Sequence, residues 1–243
     1  MRNSLKDFYE EYWEYRKSVG KIHTEKNAYI PKRLKIALSM INDRESQSKI
    51  NILDIGCGEG TLGMLLKEKS ENYYTVGCDI SEKSLELAEP YYDKTVLLNI
   101  DEDDPRSKIG SLKFDFIVCV EVIEHLLNPE IALEKCKELL SEEGFLITSF
   151  PNIAWWQYRI KLLKGHFPEE SRFYHHAEHL HDFTLHSFTK LLNEAKLETV
   201  EIGGEFIPPG FMKNIKPRKL LEKIMRKYPN LFGYQLVMKT KVA

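Results

Sequence analysis

An α/β fold with a parallel, doubly wound sheet is predicted by three observations in this 243-residue chain. From residue 51 onward, short apolar strands alternate with amphipathic helices, the pattern of parallel strands joined by right-handed crossovers with helices on both faces. From Ile52 to Thr61 the sequence Ile-Leu-Asp-Ile-Gly-Cys-Gly-Glu-Gly-Thr carries an apolar strand through an aspartate into three alternate glycines and then a helix. Acidic residues then close later strands at Asp79, Asp101 and Glu121, and in such sheets the ligand lies beyond the carboxyl ends of the strands.

Residues 1–48 read as a helical N-terminal cap, ending before the polar stretch Asn42 to Ser48. Residues 49–243 then form the main domain. Asn51 to Ile55 is the first strand, followed by a helix with Leu62, Leu65 and Leu66 on one face. Tyr73 to Ile80 is the second, and Ser81 caps a helix carrying Leu85, Leu87 and Ala88. Thr95 to Ile100 is a short third strand before the acidic loop Asp101 to Pro105, and Phe114 to Val120 is the fourth. Asn128-Pro129 reads as cap and first turn of a helix that turns Ala132, Cys136, Leu139 and Leu140 inward and ends at Gly144. Phe145 to Phe150 is the fifth strand. After a long insertion, residues 151–182, Thr184 caps a helix with Phe188, Leu191, Leu192 and Ala195 inward, and Glu198 to Ile202 and Gly233 to Lys239 read as late strands.

Composition bounds the function. A net charge of −2, from 35 basic and 37 acidic residues, gives no global field for a polyanion, so a nucleic acid is not the expected partner. No run reaches membrane-spanning length and Met1 to Asp7 has no apolar leader, which predicts a cytoplasmic protein. Cys57, Cys78, Cys119 and Cys136 form no C-x-x-C pair and read as small buried hydrophobes.

The glycine spacing selects the ligand. A dinucleotide loop is spaced G-x-G-x-x-G and holds a pyrophosphate on a helix N-terminus, whereas here the third glycine comes one residue early, at Gly60. Asp54 and Glu59 flank the turn; they would repel phosphate oxygens and attract a cofactor bearing an ammonium and a sulfonium, S-adenosyl-L-methionine. Asp79, some 20 residues on, is placed to accept the hydroxyl protons of a ribose.

At this point the chain resembles class I S-adenosylmethionine-dependent methyltransferases, whose first motif, D-x-G-x-G-x-G, is met by Asp54, Gly56, Gly58 and Gly60. The resemblance implies a Rossmann-like sheet of seven strands, six parallel and the last antiparallel, and a cofactor lined by Gly56, Cys57, Gly58 and Gly60. It also puts Ile80 against the adenine, Asn99 to Asp101 near its amino edge, and Val120 and Glu121 beside the methionine moiety. Glu121-Val122-Ile123-Glu124-His125 is similar to the E-V-I-E-H-L stretch of the type 11 and type 23 small-molecule families. There its carboxylate and imidazole face the reaction cleft, which makes His125 a candidate base or orienting donor.

Two other readings share these residues. The E-x-x-E-H letters also occur in RNA 3′-terminal 2′-O-methyltransferases, where they hold a divalent metal; that likeness makes Glu121, Glu124 and His125 ligands, with His175, His176 or His179 as a fourth. Ser149 to Asn152, Trp156, Arg159, Gly165 and Pro168 resemble the MetW-like branch, which implies a non-catalytic regulatory partner, but that branch generally lacks E-V-I-E-H. The enzyme without a resident metal is the preferred reading. The insertion is rich in aromatics, cations and histidines, suited to a small metabolite or glycan-like acceptor taking a methyl group on oxygen or nitrogen. Within it His179, followed by Phe183 and a helix, matches a type 23 pattern and is the second catalytic candidate. Phe8-Tyr9 and Tyr12-Trp13 make an aromatic stripe on the first helix, which in such enzymes covers the cofactor. The small acceptor is the expected partner, and a homodimer is compatible with the reading. Lys196 stands where relatives end a helix with glycine.

Overall fold

A computed structural model describes residues 5–24, 29–42, 49–168, 179–212, 216 and 218–243. The helices α1 (Leu5–Ser18) and α2 (Lys32–Met40) precede β1 (Ile50–Ile55), α3 (Thr61–Lys69), β2 (Tyr73–Asp79), α4 (Glu82–Ala88), β3 (Lys94–Leu97), α5 (Pro105–Ile109), β4 (Phe114–Cys119), α6 (Pro129–Leu139) and β5 (Leu140–Pro151). Then follow α7 (Trp156–Leu163), α8 (Leu185–Glu194), β6 (Leu197–Phe206), α9 (Arg218–Lys227), α10 (Pro229–Phe232) and β7 (Gly233–Val242). The sheet order is β3-β2-β1-β4-β5-β7-β6, with β7 antiparallel to both neighbours, as the resemblance implied. The order reverses between β1 and β4, which opens a crevice beyond their carboxyl ends.

The pleat divides the core into two layers. Leu53, Ile55, Ile117 and Cys119 face one layer with Leu133, Cys136 and Leu139 of α6 and Phe188 and Leu192 of α8. Ile50, Ile52, Phe116 and Val118 face the other, against Ala37 and Met40 of α2 and Leu62 and Leu66 of α3. α2 is thus part of the second core layer, and buried Lys239 in β7 ties its end by donating to the Met40 carbonyl at 2.8 Å. The four cysteines are buried free thiols. No helix among the described residues is long and apolar enough to cross a membrane.

Several local expectations shift. α6 stops at Leu139 and β5 already begins at Leu140, so Gly144 ends no helix. A Cβ there would stand 2.8 Å from the Phe114 carbonyl and 2.9 Å from that of Ser141, so close backbone approach at the slipped β4–β5 register is what calls for glycine. β3 ends at Leu97, because Asn99 turns the chain by accepting the Glu102 and Asp103 amides at 3.1 and 2.8 Å. Asn128 makes no side-chain cap; Asp101 reaches across and accepts the Leu127 and Asn128 amides at 3.1 and 3.3 Å. Ser81 and Thr184 do cap α4 and α8, the latter with Ser187 in a reciprocal capping box. α9 and α10 fill the β6–β7 connection, to which the strand pattern assigned no element.

Candidate active site at the carboxyl edge of the sheet

The loop after β1 is built from conformations that side chains resist. Gly56, Gly58 and Gly60 have φ of 74°, 53° and 87°. The Gly56 and Cys57 amides both donate to the Cys78 carbonyl, at 2.8 and 2.9 Å, turning the loop across β2. Part of the demand for glycine is protein packing: a Cβ on Gly56 would meet Val122 at 2.4 Å and one on Gly58 the Trp13 ring at 2.8 Å. Gly56 itself is exposed at the crevice.

Two buried acids hold this loop from below. Asp54 accepts the Tyr92 hydroxyl at 2.5 Å, and that oxygen accepts the Gly63 amide at 3.0 Å, locking the start of α3. Burial pushes the Asp54 carboxyl up to about 7, against the opposing pull of Tyr92. Asp79 accepts the Gly58 amide at 2.9 Å and the Ser81 amide at 3.0 Å, so one carboxylate joins the glycine loop to the end of β2. Its carboxyl is also raised by burial. Ile80 beside it is half-buried, as are Val120 and Asn99, whose side-chain oxygen accepts the Asp101 amide at 3.1 Å.

α1 lies over this loop. Glu10 takes the Ser81 hydroxyl at 3.0 Å and the Glu82 and Lys83 amides at 2.7 and 3.2 Å, completing the N-terminus of α4 from a distant helix. Trp13 packs at Gly58, Arg16 pairs with buried Glu59 at 3.5 Å, and the Tyr9 ring stands 6.5 Å from that of His125. The aromatic stripe therefore runs from the glycine loop to the far side of the crevice. Two buried polar atoms along it, Trp13 Nε1 and Glu59 Oε2, find no hydrogen-bond partner among the described residues. An unmet donor and an unmet anionic oxygen beside an exposed glycine turn fit a zwitterionic, cationic cofactor.

Past β4 the chain enters a left-handed residue, Glu121. Glu121 has φ 59°, a conformation that residues other than glycine rarely adopt, and its partners hold it there. Its amide donates to the Ser149 hydroxyl at 2.9 Å, that hydroxyl donates back to Oε1 at 2.9 Å, and the Gln235 amide donates to Oε2 at 2.8 Å. Arg33 of α2 is 3.8 Å from the same carboxylate. A 3₁₀ turn, Ile123–His125, then buries Glu124 and His125.

His179 arrives from the end of the insertion. The Leu180 and His181 amides both donate to the Glu124 carbonyl, at 2.9 and 3.1 Å, and the His181 ring contacts the Leu126 carbonyl at 3.0 Å. This zipper sets the His179 and His125 rings 4.7 Å apart. Glu124, His125 and His179 offer ligand atoms all within 4.8 Å of one another. Among the described residues both oxygens of fully buried Glu124 find no partner, and burial, reinforced by Glu121, pushes its carboxyl well above the usual range. Of the alternative ligand set, Glu121 stands outside this trio and His175 and His176 lie outside the described residues. Asp101, the remaining candidate, is engaged with the start of α6. The contributions of Glu10, Tyr92 and Gln235 carry no local motif, and Ser149, part of the MetW-like stretch, bears no sign of its pairing with Glu121; only the three-dimensional pairing exposes them.

The model of a methyltransferase-domain family matches residues 6–202, from α1 into β6. The ubiquinone biosynthesis O-methyltransferase of Bradyrhizobium diazoefficiens is 28% identical over 120 residues, 47% of this chain and 45% of the relative. That of Thiobacillus denitrificans is 25% identical over 181 residues, 70% of this chain and 73% of the relative. The chain spans about half the length of the first curated relatives it matches. Among solved structures, magnesium protoporphyrin IX methyltransferase of Synechocystis with bound S-adenosylhomocysteine superposes with TM-score 0.60 at 15% identity, over 98% of each chain. The 1,6-didemethyltoxoflavin-N1-methyltransferase of Burkholderia thailandensis gives 0.59 at 15%, over 98% of this chain and 88% of that one. The sheet order, the glycine turn after β1 and a family match spanning most of the chain lead to one assignment: the chain belongs to the class I S-adenosylmethionine-dependent methyltransferases.

Proposed function

We propose that this chain transfers a methyl group from S-adenosylmethionine to an oxygen, or less favourably a nitrogen, of a small acceptor. The preference for oxygen rests on the ubiquinone biosynthesis O-methyltransferases among its relatives. In this reading the loop Gly56 to Gly60, with Cys57, carries the cofactor's methionine end, Asp79 its ribose and Ile80 with Asn99 its adenine, while Val120 and Glu121 border the reacting centre. When bound, the cofactor supplies a methyl group on a sulfonium that departs as a neutral thioether. The protein's own task is alignment and exclusion of water: α1 closes over the loop, and strained Glu121 is fixed by three hydrogen bonds.

The observation that carries the proposal is the pair of imidazoles at 4.7 Å on the same edge as the glycine loop. One of them takes the acceptor's hydroxyl proton as its oxygen bonds to the methyl carbon, and the other orients the acceptor. Release of S-adenosylhomocysteine over a panel of small phenols, catechols and sugars tests this. His125→Ala and His179→Ala are each expected to lower kcat about 100-fold or more with cofactor affinity unchanged. Full turnover in both variants would remove the histidines from the mechanism.

A second reading is favoured by the orphaned Glu124 carboxylate. Glu124, His125 and His179 are a fitting donor set for a divalent cation, which would supply Lewis-acid activation of an acceptor hydroxyl. Elemental analysis after incubation with magnesium, manganese or zinc and desalting decides it. Stoichiometric metal lost in Glu124→Ala supports the reading, and metal-free protein in every case dismisses it.

A further inference from the structure

The β6–β7 connection is chemically unlike the rest of the chain. Between Gly210 and Tyr228 it holds seven Lys and Arg residues and a single acid, Glu222, so this short stretch carries +6 while the whole chain carries −2. α9 is fastened to the body by Leu221 and Met225, which are 5% and 6% exposed and pack with Phe232, Met212 and Trp156. Its remaining circumference turns Lys219, Lys223, Arg226 and Lys227 outward, with Lys216 preceding. Among the described residues no ion pair joins these five cations to a carboxylate; Arg226 instead lies over Phe206 and Lys227 over Tyr228. Large apolar side chains stand among them: Phe211 is 83% exposed, Leu220 47% and Tyr228 51%.

We propose that α9, with Phe211 and Lys216 before it and Tyr228 after it, forms a peripheral docking surface for anionic lipid bilayers. A helix lying in an interface combines cations for the headgroups with a few apolar side chains that enter the acyl boundary, and unneutralised Lys and Arg beside exposed Phe and Leu are that combination. Charge complementarity selects an anionic surface, and the apolar tips select a bilayer over a nucleic acid, which would leave them in water. The surface is set on the edge of the sheet that carries the active site. The Asn152 side-chain amide, just past the end of β5, donates to the Asn230 and Gly233 carbonyls at 3.1 and 2.8 Å and fixes α10, on which α9 packs. Docking therefore holds the β5–β7–β6 end of the sheet's carboxyl edge at the lipid surface.

The test is sedimentation of the full chain with vesicles of phosphatidylcholine alone or with about one third phosphatidylglycerol. The anionic vesicles are expected to carry the protein down and the neutral ones not, with binding weakened by salt. Lys219→Glu with Lys223→Glu should reduce the partition coefficient at least about tenfold, and Phe211→Ser with Leu220→Ser about tenfold. Calorimetric cofactor binding by each variant reports that it is folded and is independent of the vesicle result. No sedimentation with anionic vesicles, or equal sedimentation of the charge-reversed variant, overturns the proposal. So does binding that survives Phe211→Ser with Leu220→Ser and is abolished by a competing single-stranded RNA, which would assign the surface to nucleic acid.

Discussion

Asp54 gives the folded protein a pH signature of its own. Its carboxyl, 3.8 in an ordinary setting, is pushed up to about 7 by burial, so between those values the native state binds a proton that the unfolded chain has released. Stability is therefore highest at the acid end of that window and falls as pH rises through it; Asp79, raised by the same cause, adds to the trend. Chemical denaturation of the cofactor-free protein from about pH 4 to pH 7 should show this decline, to which buried Glu124 contributes in the same direction, and Asp54→Asn should make it shallower by removing one of the raised carboxyls. A wild-type stability that rises across the same range would refute the burial argument. At this scale the sequence displayed Asp54, Asp79 and the glycines because they are contiguous with strands whose period is plain. Tyr92, which holds Asp54, was illegible, since a tyrosine some forty residues away bears no mark of its partner.

Element ends show the same division. Ser81 and Thr184 could be read as caps because the cap and the backbone amide that donates to it are neighbours in sequence. The start of α6 could not, because Asp101 supplies from the loop after β3 what Asn128 was expected to supply locally. The end of α8 is a third case. Lys196 sits at φ 58° with an exposed side chain, in a position that glycine fills without steric cost. Lys196→Gly should stabilise the protein by about 1 kcal/mol, a rise in melting temperature of roughly 2–4 °C. A drop on substitution would mean that the lysine stem contributes more packing than its left-handed backbone costs. Gly144 teaches the converse: a glycine after a helical pattern reads as a stop, yet it answers the crowding of the Phe114 carbonyl from β4 and of the Ser141 carbonyl in its own strand.

Across the whole molecule, the parallel sheet was legible because alternation of strands and helices is a local pattern, whereas its order and the antiparallel β7 rested on family resemblance. The site was half legible for the same reason. In the proposed reading the cofactor side is written in successive loops at the carboxyl edge of the sheet, while the acceptor side pairs His125 with His179, more than fifty residues apart in sequence and brought together by backbone zippering at Glu124. α1 adds what neither stretch contains, a cover held by Glu10 on α4 and Trp13 on Gly58. The central claim is that this crevice binds S-adenosylmethionine. Isothermal calorimetry with S-adenosylmethionine and S-adenosylhomocysteine measures it directly. Saturable binding of both, weakened about 100-fold or more in Asp79→Ala by loss of charge-assisted hydrogen bonds, is the predicted result. Absence of binding by the folded wild-type protein, or full-affinity binding by Asp79→Ala, would contradict it.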